Sequence, residues 1–338
     1  MIWHFFLTNL LNSYPITAHS LEKVFPHLDG NQLARQYKEY LSDFKSWEAR
    51  KHARDWLIFP KNIGTHLSID ETSLSDGELY TIVTNKAAKG RKGAIVAIVS
   101  GTQSDKIIRA LNRIPAKNRA LVREVTLDMA WSMHRIVTYC FPNAVRVIDR
   151  FHVQKLAYDA LQEMRIKHRW DAIDQENNAM AQAKLSGETY TPQLLENGDT
   201  KKQLLARSRY LLFKSANNWS TSQKRRAELL FKHYPDIKKA YDLTHSLRMI
   251  FTKNTVKDAA RRNLALWYNH VEESGFKPFN SILKTIQNHY EDILNFFNNR
   301  STNASAESFN AKIKAFRNIL RGVIDVVFFL FRLTKIYG

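Results

Sequence analysis

The sequence has one cysteine, no long apolar run and a deficit of acidic residues. Because Cys140 is the only cysteine among 338 residues, neither an intramolecular disulfide nor a cysteine-based zinc site can form. The most apolar stretches, residues 1–11 and 326–331, are far shorter than the about 20 residues that a membrane-spanning helix needs. No basic residue precedes Lys23, so we expect no secretory signal. These absences favour a protein with no membrane partner, and they leave oxygen or imidazole ligands for any metal ion.

Positive charge is what the sequence has in excess, with 51 Lys and Arg against 32 Asp and Glu and a formal net charge of +19. Residues 201–262 alone contain 16 basic and four acidic residues, a net charge of +12. A localised cationic surface indicates a polyanionic partner such as a nucleic acid. Aromatic residues interleave with these cations, and they either stack on bases or form the core of basic helices. They are Tyr210, Phe213, Trp219, Phe231, Tyr234 and Tyr241.

Periodicity predicts helices, then a β-rich centre, then a long helical stretch. Strands are expected at 66–72, 78–84, 93–101, 122–129 and 144–151, with helices at 31–47, 105–120 and 131–139. Three hairpin strands followed by two strand–helix units predict an α/β, ribonuclease-H-like fold with a mixed five-stranded sheet ordered 3-2-1-4-5. We expect four parts: a helical N-terminal region (1–60), the first part of the core (61–152), a large helical basic insertion (153–300) and C-terminal helices that complete the core (301–338).

Two aspartates interrupt predicted strands. Asp70 has the uncharged neighbours Ser68, Ile69 and Thr72 in the first strand of the five, and Asp128 ends the fourth. A carboxylate in so apolar a strand is unfavourable unless something compensates it. In the expected sheet the first and fourth strands are adjacent, so both side chains can converge on one metal ion. Alternatively, each aspartate caps the turn after its strand, which suits Asp128 better than Asp70.

A third carboxylate, Glu307, lies in the first turn of a helix predicted to begin near Ala304. Asn303 and Ser305 supply N-cap chemistry, and the face opposite the apolar stripe carries Glu307 followed by cations suited to phosphates. Alternatively, Glu307 only complements the helix dipole. The candidate DNA contacts on this helix and in the basic insertion are Lys312, Lys314, Arg317, Arg321, Lys224, Arg225, Arg226, Arg261 and Arg262.

Three carboxylates suit phosphoryl transfer. Two Mg²⁺ or Mn²⁺ ions about 3.5–4 Å apart activate the attacking oxygen and stabilise the leaving oxygen, and hard oxygen ligands hold such ions. Asp70, Asp128 and Glu307 are therefore the candidate catalytic and metal-binding residues.

Asp149 ends the fifth predicted strand and His152 follows it, within the sequence Val147–Val153. Asp149 is a candidate auxiliary acid, and His152 is a candidate for positioning DNA or water. Asp149 can equally form a structural ion pair with Arg150. The twelve histidines show no HExxH spacing, so a zinc hydrolase has little support.

Taken together and in this order, four motifs resemble bacterial insertion-sequence transposases with a DDE catalytic core, in particular the ISL3 family and its Bacteroidetes-type relatives. The resemblance extends over residues 57–337, and its motifs are Leu67–Ser73, Val125–Ala130, Val147–Val153 and Ala306–Lys314. It implies that Asp70, Asp128 and Glu307 are the catalytic acids. It also implies that the stretch before Glu307 is the helical insertion of such enzymes.

The resemblance further implies an activity, partners and a location. We expect metal-dependent cleavage at transposon ends and strand transfer into target DNA, with two Mg²⁺ or Mn²⁺ ions, in the nucleoid of the bacterial cytoplasm. Many relatives begin with a cysteine-rich zinc element that this sequence lacks, so a separate small protein is a candidate for end recognition. A homo-oligomeric synaptic complex is expected. The rival hypotheses are a nuclease of the same fold that cleaves without joining and a non-catalytic or truncated DNA-binding relative.

Overall fold

The computed structural model describes residues 2–75 and 77–338, which form two compact units. The first unit comprises the chain up to Asp149 together with Arg300–Gly338, and the second is Arg150–Asn299. Among the described residues, no helix is both long and apolar enough to span a membrane.

The first unit is a mixed α/β structure. Its strands are β1 (Trp56–Ile58), β2 (His66–Ser75), β3 (Glu78–Asn85), β4 (Ile95–Ser100), β5 (Glu124–Leu127) and β6 (Val145–Ile148). Its helices before the second unit are α1 (Ile2–Ser13), α2 (Ala18–Glu22), α3 (Gly30–Gln36), α4 (Ser104–Leu111), α5 (Ala116–Arg119) and α6 (Trp131–Cys140). After the second unit come two further helices, α15 (Ala304–Ile319) and α16 (Val326–Tyr337).

The strands form one mixed sheet in the order β1-β4-β3-β2-β5-β6. β2, β3 and β4 pair antiparallel, whereas β2–β5 and β5–β6 are parallel. From β4 to β6 this is the predicted order 3-2-1-4-5. The predicted number of strands was wrong, because β1 adds a sixth at the edge, antiparallel to β4. With three residues it is too short to show the alternation that identifies a strand.

Each face of the sheet is covered by a hydrophobic core. On one face, Leu67, Ile69 and Val125 pack with residues of α4 and α6. On the other, residues of β3 and β4 such as Ile82 and Ile98 pack with α15 and α16. Since successive residues of a strand point to opposite faces, this two-sided burial explains why β3 and β4 are almost uninterrupted runs of apolar and β-branched residues.

Two predicted helices differ in detail. The helix expected at 105–120 is two helices, α4 and α5, because Pro115 lies between them and disfavours helical continuation at the residue before it. The helix expected from Asn31 to Trp47 ends as α3 at Gln36 and continues only as a π-helical turn at Tyr37–Leu41.

The N-terminal helices α1–α3 pack against α16. The guanidinium of Arg332 in α16 is buried and donates to the carbonyl oxygens of Leu11, Tyr14 and Ile16 at 2.7, 3.3 and 3.0 Å. Hydrogen bonds from a charged donor are stronger than neutral ones. A single side chain thereby joins the first and last helices of this unit.

The second unit contains only helices within its regular structure. They are α7 (Arg150–Ser186), α8 (Lys201–Arg207), α9 (Thr221–His233), α10 (Pro235–Lys253), α11 (Lys257–Ser274), α12 (Lys277–Asn288), α13 (Tyr290–Leu294) and α14 (Phe296–Asn299). Its core includes Trp267, whose indole N–H donates to the carbonyl oxygen of Leu243 at 2.8 Å. The amide of Gln154 in α7 donates to the carbonyl oxygen of Thr244 in α10 at 3.0 Å. Buried polar contacts of this kind fix one arrangement of otherwise apolar helix faces.

Candidate active site

Asp70 lies in β2, and Asp128 directly follows the end of the adjacent strand β5. In the parallel pairing of β2 with β5, Ser68 is the partner of Thr126. Counting two residues onward in each chain reaches Asp70 and Asp128, and side chains two apart share a face. Asp70 is also the antiparallel partner of Ile82, which packs beneath α15. Asp70 therefore points to the face of the sheet that α15 covers.

Each aspartate accepts hydrogen bonds that fix its side chain. Oδ1 of Asp70 accepts the backbone N–H of Glu71 at 2.9 Å, and Oδ2 accepts the side-chain amide of Asn310 at 2.7 Å. Oδ1 of Asp128 accepts the backbone N–H of Ala130, also at 2.9 Å. Asp128 thus caps the turn after its strand, and its interpretation as a metal ligand stays a prediction.

Glu307 is exposed in the first turn of α15. Residues three apart share a helix face, so Glu307 neighbours Asn310, the residue that bonds to Asp70. The structure places Asp70 in β2 and Asp128 after the end of the adjacent β5, and the bond from Asn310 to Asp70 anchors the helix that carries Glu307. Within residues 2–75 and 77–338, however, no three His, Cys, Asp or Glu side chains are close enough to share a metal ion.

Glu71 is a nearby carboxylate that sequence reasoning missed. Burial, followed by the charges of Asp128 and Asp70, raises its pKa above the usual range. Its direct succession to Asp70 was the only available signal. Concentrated negative charge of this kind is what a divalent cation neutralises, and carboxylate oxygens are the ligands that hard cations prefer. The donor chemistry of Asp70 and Asp128 therefore fits such an ion.

Lys86 adds a half-buried cation to the face of the sheet that carries Glu124 and Thr126. Its ammonium group donates to Oγ1 of Thr126 at 2.6 Å and lies 3.4 Å from Oε1 of Glu124. Burial lowers the pKa of Lys86, and the charge of Glu124 opposes that shift. Because Thr126 and Asp128 are two residues apart, this polar group supports the strand just before the aspartate pair.

Asp149 holds the beginning of α15. Its carboxylate is fully buried, and Oδ2 accepts the backbone N–H of Asn303 at 2.7 Å. The side chain of Asn303 makes no capping hydrogen bond, contrary to the prediction. Asp149 instead satisfies a donor at the helix start from the end of β6, since a backbone N–H there has no partner inside the helix.

His152 lies in α7, in the second unit, and its Nδ1 is buried without a hydrogen-bond partner among the described residues.

The aromatic residues of the basic segment belong partly to the hydrophobic core, as one of the two alternatives predicted. Trp219, Phe231 and Tyr241 pack on one another with ring centroids 5.4–6.2 Å apart. Tyr210 is exposed.

The candidate DNA contacts on α15 and just after its end, where Arg321 lies, fall into two groups. Lys312 donates to the carbonyl oxygen of Gly90 at 2.8 Å, and Arg317 donates to that of Ser73 at 3.3 Å. Lys314 and Arg321 are exposed. Lys314 and Arg321 therefore have greater freedom to reach a phosphate than Lys312 and Arg317.

The candidate DNA contacts of the second unit also differ in their partners. Lys224 and Arg225 are exposed on α9, as is Arg262 on α11. Arg261 lies 3.9 Å from Asp258 and 3.4 Å from Glu291, and Nε of Arg226 is buried without a hydrogen bond among the described residues. Lys224, Arg225 and Arg262 are therefore the most available of the five.

Comparison with known proteins decides the family. The family model described as transposase, of the DDE ISL3 type, matches residues 67–333. The chain belongs to the ISL3 family of DDE transposases. The resemblance inferred from the four motifs is confirmed, and all three candidate catalytic acids lie within the matched region.

Two curated relatives of this ISL3-family chain are transposases for insertion sequence element IS1557 of Mycobacterium tuberculosis, from strains CDC 1551 / Oshkosh and ATCC 25618 / H37Rv. Each is 24% identical over 283 residues, which cover 80% of this chain. The chain spans 60% of the length of these relatives. A solved structure, the Drosophila P element transposase strand transfer complex, aligns over 94% of this chain and 86% of its own with 13% identity and a TM-score of 0.38.

Proposed function

We propose that this ISL3-family chain is a metal-dependent DNA transposase with a ribonuclease-H-like core. It cleaves a DNA strand at a transposon end with water and joins the freed 3′-hydroxyl to target DNA. The observation that supports the proposal is the position of Asp70 in β2, bonded to Asn310 of α15, with Asp128 at the end of the adjacent β5, within the region matched by the transposase family.

Asp70 and Asp128 would hold a divalent cation, Mg²⁺ or Mn²⁺, and Glu307 would complete the ligand set for two ions. Such ions supply stabilisation of the charge that develops on the attacking and leaving oxygens. The chain's own contribution is orientation. Asn310 and the N–H of Glu71 fix the carboxylate of Asp70, and the N–H of Ala130 fixes that of Asp128.

Asp149 acts in this proposal as a positioning residue. It anchors the N–H of Asn303, one helical turn before Glu307, so that the third carboxylate enters the site at a defined point. Its earlier interpretation as an auxiliary acid stays a prediction, as does the role of His152.

The cations act on the DNA backbone. Exposed Lys224, Arg225, Arg262, Lys314 and Arg321 neutralise phosphates, and release of condensed counterions drives that binding. Arg226, Arg261, Lys312 and Arg317 would contribute after their present contacts rearrange. Assembly of several copies on DNA and a separate end-recognition protein stay predictions, to be tested by the mass of the DNA complex and by comparison of end DNA with scrambled DNA.

Cleavage and joining of labelled end-containing DNA in Mn²⁺ test the reaction. We expect D70N and D128N each to lower both steps by about 10³-fold or more, because ligand loss removes several kcal/mol of transition-state stabilisation. Both variants should still bind DNA. The matched control is D159N, which changes an exposed aspartate of α7 that pairs with Lys155.

The outcomes separate the rival functions. Robust joining by D70N would overturn the proposed site. Cleavage without a joined product would indicate a nuclease, and DNA binding without cleavage by the wild-type chain would indicate a non-catalytic relative.

A further inference from the structure

A tryptophan stands exposed at the point where the chain leaves the aspartate pair. Trp131 is the first residue of α6 and is 69% exposed, more than the other six tryptophans. The core-facing side of α6 is already supplied by Met133, Ile136, Val137 and Cys140. Packing of the helix therefore does not account for an indole at this position.

The indole is held as a flat platform. The ring of His134, one turn along α6, stacks on it with centroids 5.0 Å apart and an interplanar angle of 5°. The stack restricts the indole without burying it. Aromatic faces that are fixed and exposed are suited to stacking with planar ligands, because little side-chain entropy remains to be lost.

The platform has a fixed position relative to Asp128. Oδ1 of Asp128 accepts the N–H of Ala130 at 2.9 Å, and Trp131 is the next residue. Because adjacent Cα atoms are about 3.8 Å apart, the Trp131 backbone begins within one residue of the group that Asp128 binds. Trp131 therefore begins the helix that follows the turn capped by Asp128, three residues after that aspartate.

The residues around Trp131 favour a single nucleic-acid base as its ligand over the apolar surface of a partner protein. Next to Trp131, Ser132 and Arg135 are polar, and Arg135 pairs with Asp105 at 2.7 Å. Protein interfaces depend on a contiguous apolar centre, whereas one aromatic ring suffices for one base.

We propose that Trp131, backed by His134, stacks on an unpaired base of the DNA strand whose phosphate lies at Asp70 and Asp128. This inference rests on the proposed function and adds a requirement to it, namely that the strand is locally unpaired next to the site. Stacking is tolerant of sequence, since every base has a planar face. The platform therefore reads strand separation rather than base identity.

The test is equilibrium binding of DNA in Ca²⁺. Two duplexes are compared that differ only in whether their single 2-aminopurine is paired or unpaired, and binding is measured by anisotropy and by quenching of 2-aminopurine fluorescence. We expect the wild-type chain to prefer the duplex with the unpaired base and to quench it. W131A should bind the duplex with the unpaired base about 5- to 150-fold more weakly and the fully paired duplex as tightly as before. W131F should keep most of the preference because it keeps a ring.

The matched control is Y139A, which removes an aromatic of α6 that is 65% exposed at the opposite end of the helix. It should leave binding and quenching unchanged. Retention of the full preference and quenching by W131A would overturn the proposal, and so would a wild-type chain that does not distinguish the two duplexes. Circular dichroism of each variant checks folding.

Cleavage in Mn²⁺ separates this inference from the proposed function. If the wild-type chain cleaves and joins DNA but W131A binds both duplexes as the wild-type chain does, the stacking proposal fails and the proposed function stands. If quenching depends on Trp131 but the wild-type chain does not cleave DNA, the stacking proposal stands and the proposed function fails.

Discussion

The side-chain amide of Asn310 in α15 donates to Oδ2 of Asp70 in β2 at 2.7 Å. Asn310 is 6% exposed, so this is a protected hydrogen bond to an acidic group and stronger than a neutral one at the surface. It joins the first candidate catalytic carboxylate to the helix that carries the third. It also places a neutral donor where a second carboxylate would repel Asp70.

Replacement of Asn310 by Asp should destabilise the chain by about 1.5–3 kcal/mol in the absence of divalent metal. The hydrogen bond to Asp70 is lost and two carboxylates face each other. Addition of Mn²⁺ should restore more stability to N310D than to the wild-type chain, as measured by urea unfolding. N318D, at an exposed position of α15, is the control and should change little. An N310D chain of wild-type stability without metal would contradict the role of this contact.

Removal of the Asp149 carboxylate should loosen the start of α15. In D149A the buried N–H of Asn303 loses its acceptor, which costs about 1–3 kcal/mol. D149N keeps an acceptor oxygen and should lose less. We expect hydrogen exchange at the first turn of α15 to accelerate in D149A, and strand joining to fall while DNA affinity in Ca²⁺ stays near the wild-type value. Unchanged exchange there would show that α15 does not depend on this bond.

Glu71 should make stability depend on pH. Burial and the charges of Asp128 and Asp70 raise its pKa in the folded chain, so its ionised form is less favourable there than in the unfolded chain. The resulting destabilisation is absent below the ordinary glutamate value of about 4.3, grows as pH rises through the range up to the raised pKa, and is complete above it. E71Q should therefore melt at a higher temperature than the wild-type chain at pH 7.

The difference in melting temperature between E71Q and the wild-type chain should vanish near pH 4. Saturating Mg²⁺ should reduce this difference at pH 7 by neutralising the neighbouring aspartates. E228Q, which changes an exposed glutamate of α9, should show no comparable gain. A pH-independent gain in E71Q would mean that side-chain packing, not charge, sets its stability.

The exposed cations of α9 should contribute to the salt dependence of DNA binding. Lys224 and Arg225 have no side-chain hydrogen bond or ion pair in the described part of the chain, whereas Lys232 of the same helix pairs with Glu196. The double variant K224A/R225A should reduce the slope of log affinity against log salt concentration by about 2. K232A should reduce it less. Equal slopes for the double variant and the wild-type chain would exclude this helix from the interface.

Local pattern was sufficient for much of the architecture. The alternation in β2–β4 and the strand–helix units that end in β5 and β6 predicted the strand order from β4 to β6. That order in turn predicted that Asp70 and Asp128 lie on adjacent strands. Local pattern failed at β1, which is too short to alternate, and at the side chain of Asn303, which does not cap the helix that it precedes.

By itself the sequence determined the family, through four motifs in a fixed order, and the strand order of the core, because side-chain alternation and connection handedness are local properties of the chain. Tertiary structure alone decided which residues hold the site together. Asn310 meets Asp70 across 240 positions and Asn303 meets Asp149 across 154. No periodicity spans such separations, since these contacts arise only when α15 packs on the sheet and buried polar groups must find partners there.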